Sequence, residues 1–259
     1  MSNSVYTVEN LSFAYEKDKP IFTDMSLTLT EGVVTTLIGA NGSGKSTLFN
    51  LMTKNLKPDK GKIMLRGGDV TSIRLRDFAK LVAIVHQSNT APAGLSVRRL
   101  VEYGRYPHRS ITRSAETDED ETMVNWALET TGLTEFANKP ATSLSGGQRQ
   151  RAWIAMALAQ GTDVLLLDEP TTYLDVRYQL DILRLVRQLN QEYGLTVVMV
   201  LHDINQSLNY SDEVVALADG KVLAKGEPAD VITPELVSEV YKVDLEVTTV
   251  HGKPFVLAV

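Results

Sequence analysis

The first thirty residues of the chain read as β-strand. Val5-Tyr6-Thr7-Val8 and Met25-Ser26-Leu27-Thr28-Leu29 are alternating or β-rich, and each predicts a strand. Val33 to Ile38 predicts a strand that runs into a glycine-rich stretch, and Thr47 to Thr53 predicts the helix behind it. Ile63-Met64-Leu65 and Leu81 to Val85 predict two further short strands. From about Ser88 to Gly161 the pattern changes. Strand-like runs give way to helical spacing, as in Val97, Leu100, Val101 and Met123, Ala127, Leu128, which predicts a helical insertion. Strands return at Val164 to Leu167 and Val197 to Leu201, with a helix from about Val176 to Glu192 between them. Strand, helix, strand in that order predicts a largely parallel sheet. Asp219-Gly220, between Val214 to Leu217 and Lys221 to Ala224, is a hairpin signal. Glu235 to Tyr241 predicts a late helix and Leu245 to Val259 a strand-rich tail. No internal repeat or low-complexity segment interrupts the series.

Composition narrows the class. With 259 residues, 43% hydrophobic and 22% charged, the chain has the make-up of a soluble globular protein with a substantial core. A formal net charge of -6 argues against nucleic acid as the main partner. There is no cysteine, hence no disulfide and no thiolate metal site. Met1 to Tyr6 has neither a basic n-region nor an apolar h-region and does not read as a signal peptide. The longest apolar runs have the length of buried strands, so membrane-spanning segments, if the protein serves a membrane, are expected from another chain.

Three stretches carry candidate chemistry. In Gly39-Ala40-Asn41-Gly42-Ser43-Gly44-Lys45-Ser46, the glycines let the backbone curl so that several N–H groups point at one anion. The following helix adds the positive end of its dipole. Lys45 is expected to reach the β- and γ-phosphates, and the Ser46 hydroxyl to ligand Mg²⁺. Leu165-Leu166-Leu167-Asp168-Glu169 reads as a buried strand delivering two carboxylates to its C-terminal end, where ligands bind in open α/β sheets. Asp168 is the candidate for Mg²⁺ and Glu169 for general base toward water. Taken alone, that run is also an ordinary strand ending in a charged turn. Leu144-Ser145-Gly146-Gly147-Gln148 opens a helix running to Ala159, with Ser145 as a good N-cap. Two glycines do not favour a helix start, so something is expected to approach the backbone closely there.

These three stretches, in that order, resemble the nucleotide-binding subunit of an ATP-binding cassette (ABC) transporter, and the resemblance covers nearly the whole chain. It implies a P-loop NTPase-type α/β core with a largely parallel sheet, an N-terminal antiparallel β-subdomain and an inserted helical subdomain. The implied division is 1–87 and 162–225 for the nucleotide-binding core, 88–161 for the helical insertion and 226–259 for the tail. It implies that Gly39, Asn41, Gly42, Ser43, Gly44, Lys45, Ser46 and Thr47 hold ATP, with Thr47 at the α-phosphate. Ser145, Gly147 and Gln148 would act on ATP bound to a second subunit. Gln87 matches the glutamine that contacts Mg²⁺ and the attacking water, although a lone Gln at a strand end is otherwise surface polar. His202, directly after Val197 to Leu201, matches a histidine at the γ-phosphate. Tyr15 matches the aromatic that stacks on adenine, yet beside Phe13 it also fits a core position. Asp175, in Thr171-Thr172-Tyr173-Leu174-Asp175, falls in the loop that crosses between subunits. Tyr173 departs from the small residue many members carry there.

The same resemblance implies two copies sandwiching two ATP molecules head to tail, docked on integral-membrane permease subunits at the cytoplasmic face. A substrate-binding protein would serve the transporter on the far side. Val101-Glu102-Tyr103-Gly104-Arg105-Tyr106-Pro107-His108 resembles a segment common in ATPases of iron(III)-siderophore importers, with haem and cobalamin importers as relatives. A soluble, non-transport ABC ATPase is the reading from another class, although such proteins usually carry two cassettes or a long coiled-coil insertion. Other features are read as structural. The acidic run Glu116 to Glu121 could suggest a metal but fits better the first turn of a helix. Arg98, Arg99, Arg105, Arg109 and Arg113 form a loose basic cluster that is expected to be solvated, with a face toward a membrane partner as the alternative. His86, His108 and His251 have no partner that the sequence names.

Overall fold

The structure, a computed structural model, describes residues 3–109, 117–250 and 253–257. Arg113, Glu116 and His251 lie outside the described residues. The chain divides into two compact units, Met1–Ile73 with Thr196–Val259, and Arg74–Leu195. Its first part carries strands β1 (Ser4–Glu16), β2 (Lys19–Thr30) and β3 (Val34–Ile38), helix α1 (Lys45–Met52), and strands β4 (Lys60–Leu65) and β5 (Gly68–Asp69). Helix α2 (Leu75–Phe78), strand β6 (Val82–Val85), helices α3 (Val97–Glu102), α4 (Asp118–Thr130) and α5 (Gly146–Ala159), strand β7 (Val164–Leu167) and helix α6 (Val176–Tyr193) form the second unit. The chain then returns to the first unit through β8 (Thr196–Val200), α7 (Ile204–Tyr210), β9 (Glu213–Ala218) and β10 (Lys221–Gly226). It ends with α8 (Pro228–Val231), α9 (Pro234–Tyr241), β11 (Glu246–Val250) and β12 (Lys253–Leu257).

In the first unit, β2, β1, β4 and β5 form an antiparallel sheet in that order. Tyr6 and Val8, and beyond a register shift Leu11 and Phe13, alternate toward the core and explain β1. It runs far past Val5 to Val8 because bulges carry it on. Asn10 has φ +49°, and the pairing with β2 shifts register between Val8 and Leu11. A bulge breaks strict alternation and so hides the strand from a period-two reading. β3 is paired in parallel with both β8 and β9, and β10 lies antiparallel on β9. All residues of β3 and β8 are buried, as expected of parallel strands covered on both faces. The two threonines in β3 are satisfied: Thr36 Oγ1 lies 2.6 Å from Ser211 Oγ, and Thr35 donates to Glu213 at 3.1 Å. β11 and β12 form the C-terminal hairpin.

In the second unit, β6 and β7 pair in parallel. Between them the described residues hold helices, turns and one isolated bridge, Ser96 with Pro140. α4 opens with a capping box, in which Asp120 N–H donates to Thr117 Oγ1 at 3.1 Å and Thr117 N–H to Asp120 Oδ2 at 3.3 Å. The acidic residues 118–121 do fill its first turn.

The basic cluster is not uniformly solvated. Arg105 is 2% exposed, and its guanidinium donates to Asp120 Oδ1 at 2.7 Å, to Ala159 O at 3.0 Å and to Glu119 Oε1 at 3.0 Å. It therefore ties the 3₁₀ turn Tyr103–Arg105 to the first turn of α4 and the last of α5. Burial pushes the Asp120 carboxyl up, but the hydrogen bonds and charge of Arg105 and the Thr117 amide outweigh it and hold it below the ordinary value. The pair's contribution is thus present above the usual carboxylate range and is lost on acidification. Arg105→Met should destabilise the chain by about 3–5 kcal/mol, because it strands Asp120 as a buried charge. Adding Asp120→Leu removes the stranded charge but also the acceptor of Thr117 N–H, so it should restore part of that loss. Urea denaturation of both variants checks this, and equal midpoints for Arg105→Met and wild type would refute it.

Candidate functional site

The glycine loop of the first unit connects β3 to α1. Gly44 holds φ +103° as the residue that starts α1, and a Cβ there would lie 2.8 Å from the Phe22 ring. Only glycine fits both demands. α1 has no acidic residue in its first turn, so nothing of its own competes for the positive end of its dipole. Lys45 is buried, and its Nζ donates to Gly39 O at 2.7 Å and Ala40 O at 2.9 Å. The ammonium thus rests on the loop's own carbonyls. Asn41, Gly42 and Ser46 are exposed, whereas Ser43 and Thr47 are buried. Ser43 Oγ is buried with no hydrogen-bond partner among the described residues. That is the state in which an incoming anion supplies the missing partner.

Tyr15 is not a core residue. It is 61% exposed, stands edge-on to Phe13 with ring centroids 5.0 Å apart, and its hydroxyl lies 3.4 Å from Thr47 Oγ1. A hollow beside it is lined by Phe13, Lys17, Pro20 and Phe22. His202 follows β8 and is exposed. Asp203 next to it caps α7 by accepting from Gln206 N–H at 2.9 Å.

In the second unit, the four buried residues of β7 lead into Asp168 and Glu169. Asp168 N–H donates to Val85 O at 2.9 Å, extending the parallel ladder by one residue. Glu169 has φ +49°, a left-handed backbone for a residue with a side chain. Its Oε2 accepts from Gln87 Nε2 at 2.5 Å and from Thr172 Oγ1 at 3.0 Å. The fold therefore brings Gln87 and Glu169 together from 82 positions apart in sequence. Ser145 caps α5 in a full capping box with Gln148, at 3.0 and 3.3 Å. The close approach expected at its glycines is present within this chain, since a Cβ on Gly147 would fall 2.3 Å from the Tyr178 ring. Asp175 caps α6, accepting from Tyr178 N–H at 3.2 Å. Tyr173 is 90% exposed with φ +64°. A depression lined by Gln87, Arg149, Trp153, Thr172 and Tyr173 lies beside the start of α5.

The sequence pattern of the ABC transporter family matches residues 22–172, more than half the chain. This chain belongs to the ABC transporter family. It is 46% identical, over 95% of its length and 91% of the relative's, to the iron(3+)-hydroxamate import ATP-binding protein of Bacillus subtilis (strain 168). It is 41% identical, over 90% and 85% respectively, to the ferric enterobactin transport ATP-binding protein of Escherichia coli (strain K12). Among solved structures it resembles a dimeric bacterial ABC transporter cassette, with a TM-score of 0.72 at 29% identity over 86% of this chain and 98% of that one.

This cassette is a nucleotide-binding, ATP-hydrolysing subunit of a transporter. No helix among its described residues is long and apolar enough to cross a membrane. Two neighbours of the predicted site residues escaped the sequence reading. Thr172 supports Glu169, and its signal was available in the three-residue spacing that closes a turn, with Thr172 N–H to Glu169 O at 3.2 Å. Tyr178 against Gly147 had no local signal, because the contact joins two helices.

Proposed function

We propose that this cassette couples ATP binding and hydrolysis to the import of an iron(III)-siderophore. The relatives named for siderophore import support that cargo over nearly the full chain. The hydrolytic role is carried by one observation: Gln87 and Thr172 converge on the Glu169 carboxylate. A carboxylate held by two donors is oriented to accept a proton from water, and Glu169 is the general base in this reading. The glycine loop would hold the phosphates through its N–H groups and Lys45, with Ser43 Oγ and Thr47 as further donors. Tyr15 would stack on adenine, and His202 would contact the γ-phosphate.

Hard oxygens are offered to a metal in each unit taken by itself: the exposed Ser46 hydroxyl in the first, and in the second the Asp168 carboxylate, whose Oδ1 is buried, and the Gln87 amide carbonyl, whose nitrogen is engaged by Glu169. That set suits Mg²⁺, which takes few protein ligands beside phosphate oxygens. When bound, Mg²⁺ would neutralise phosphate charge. The similar dimeric cassette supports a pair of copies; in this reading the pair is head to tail, with Ser145, Gly147, Gln148 and Asp175 facing ATP on the second copy. In this reading permease subunits, which receive the helical insertion at 88–161, place the cassette on the cytoplasmic face, and a substrate-binding protein delivers cargo outside.

The test is growth on iron supplied only as a ferric siderophore. Deleting the chain should abolish growth, and a plasmid copy should restore it. Normal ferric-siderophore uptake in the deletion strain, with a defect for haem or cobalamin instead, would reassign the cargo and leave the ATPase untouched.

A further inference from the structure

The C-terminal segment has no part in the roles above, yet the structure fastens it to the element that follows His202. α7 is seven residues long, too short to hold its own geometry in water. Its orientation must come from tertiary contacts. In its first turn Asn205 turns its amide onto the C-terminal hairpin: Nδ2 donates to Val256 O at 3.0 Å, and Oδ1 accepts from Val256 N–H at 2.8 Å. One side chain thereby satisfies both backbone groups of a β12 residue, as a neighbouring strand would. Val256 is 3% exposed and sits in one apolar cluster with Ile38, the residue before the glycine loop, and with Val240; Ile204 and Tyr241 pack against it.

Tyr241, the last residue of α9, reports the same convergence. Burial pushes its phenol up to about 12, with the Gly39 backbone acting in the opposite direction and the Asp203 charge adding to the rise. The C-terminal helix therefore ends beside both the glycine loop and the turn that bears His202.

We propose that Asn205 is a positioning residue for ATP hydrolysis. Its two-point clamp on β12 fixes the first turn of α7 and thereby the place of the His202 side chain. The proposal rests on the reading of His202 as the γ-phosphate contact. The glycine loop keeps its own supports, so ATP binding does not depend on the clamp.

The experiment uses the full-length chain and steady-state ATP hydrolysis. Asn205→Ala should lower kcat by about tenfold, short of the roughly hundredfold that a 1 Å displacement can cost, with KM for ATP changed less than about twofold. Asn205→Asp retains the acceptor for Val256 N–H but sets a carboxylate oxygen against Val256 O, so it too should lower kcat; it also serves as the readable variant if Asn205→Ala does not fold. His202→Ala is measured alongside. If Asn205 acts through His202, adding Asn205→Ala or Asn205→Asp to His202→Ala costs nothing further, whereas a merely structural role gives the same loss in both backgrounds. Unchanged kcat in both Asn205 variants, or a full additional loss in the double variant, overturns the proposal while His202→Ala remains slow. Wild-type turnover in His202→Ala overturns the reading beneath it, and the proposal with it.

Discussion

Glu169→Gln should bind ATP and fail to turn it over. The two donors that orient Glu169, Gln87 Nε2 and Thr172 Oγ1, meet a single oxygen, Oε2. Glutamine keeps one such oxygen and the same shape, so the local structure survives. What it loses is a group that can accept a proton. A general base is worth about 10²–10⁴ in rate, so turnover should drop about a hundredfold or more. Removing a negative charge near the γ-phosphate should also lengthen the life of the ATP-bound state, and with it the closed dimer. Phosphate release and ATP-dependent dimerisation by size-exclusion chromatography check both halves. Hydrolysis within tenfold of wild type would show that another group serves as base.

Lys45→Ala should fail one step earlier, at binding. Lys45 Nζ is buried on the carbonyls of Gly39 and Ala40, an ammonium held where phosphate is proposed to lie. Hydrogen bonds to charged groups are worth about 1.5–3 kcal/mol, so losing the ammonium should weaken ATP binding by about 10–100-fold. The split between the two variants is the informative result. Glu169→Gln should change kcat with affinity kept, and Lys45→Ala should change affinity first. Titration of a fluorescent ATP analogue separates them, and unaltered affinity in Lys45→Ala would remove Lys45 from the phosphate site.

What was legible in the sequence was what local chemistry dictates. β3 is a β-rich run ending in the glycine loop and β7 an unbroken apolar run ending in the Asp168-Glu169 pair, and both strands fall where the run places them. Ser145 acts as the N-cap that its residue type suggests. The parts that stayed hidden depend on distant partners. Arg105 reads as one more surface arginine until the fold sets Asp120 and the Ala159 carbonyl against it. The bulge at Asn10 conceals most of β1. Asn205 looks like a helix residue with nothing to do until β12 arrives 51 positions later.

The backbone at Glu169 sets two selective pressures against each other. With φ at +49°, this position holds a side chain in a conformation that glycine adopts freely and that costs other residues roughly 1–2 kcal/mol. A lineage selected for thermal robustness alone would drift toward glycine or asparagine there, gaining stability while falling silent as an enzyme. Keeping glutamate means accepting that cost in every folded copy, and the proposed role as general base is what would offset it.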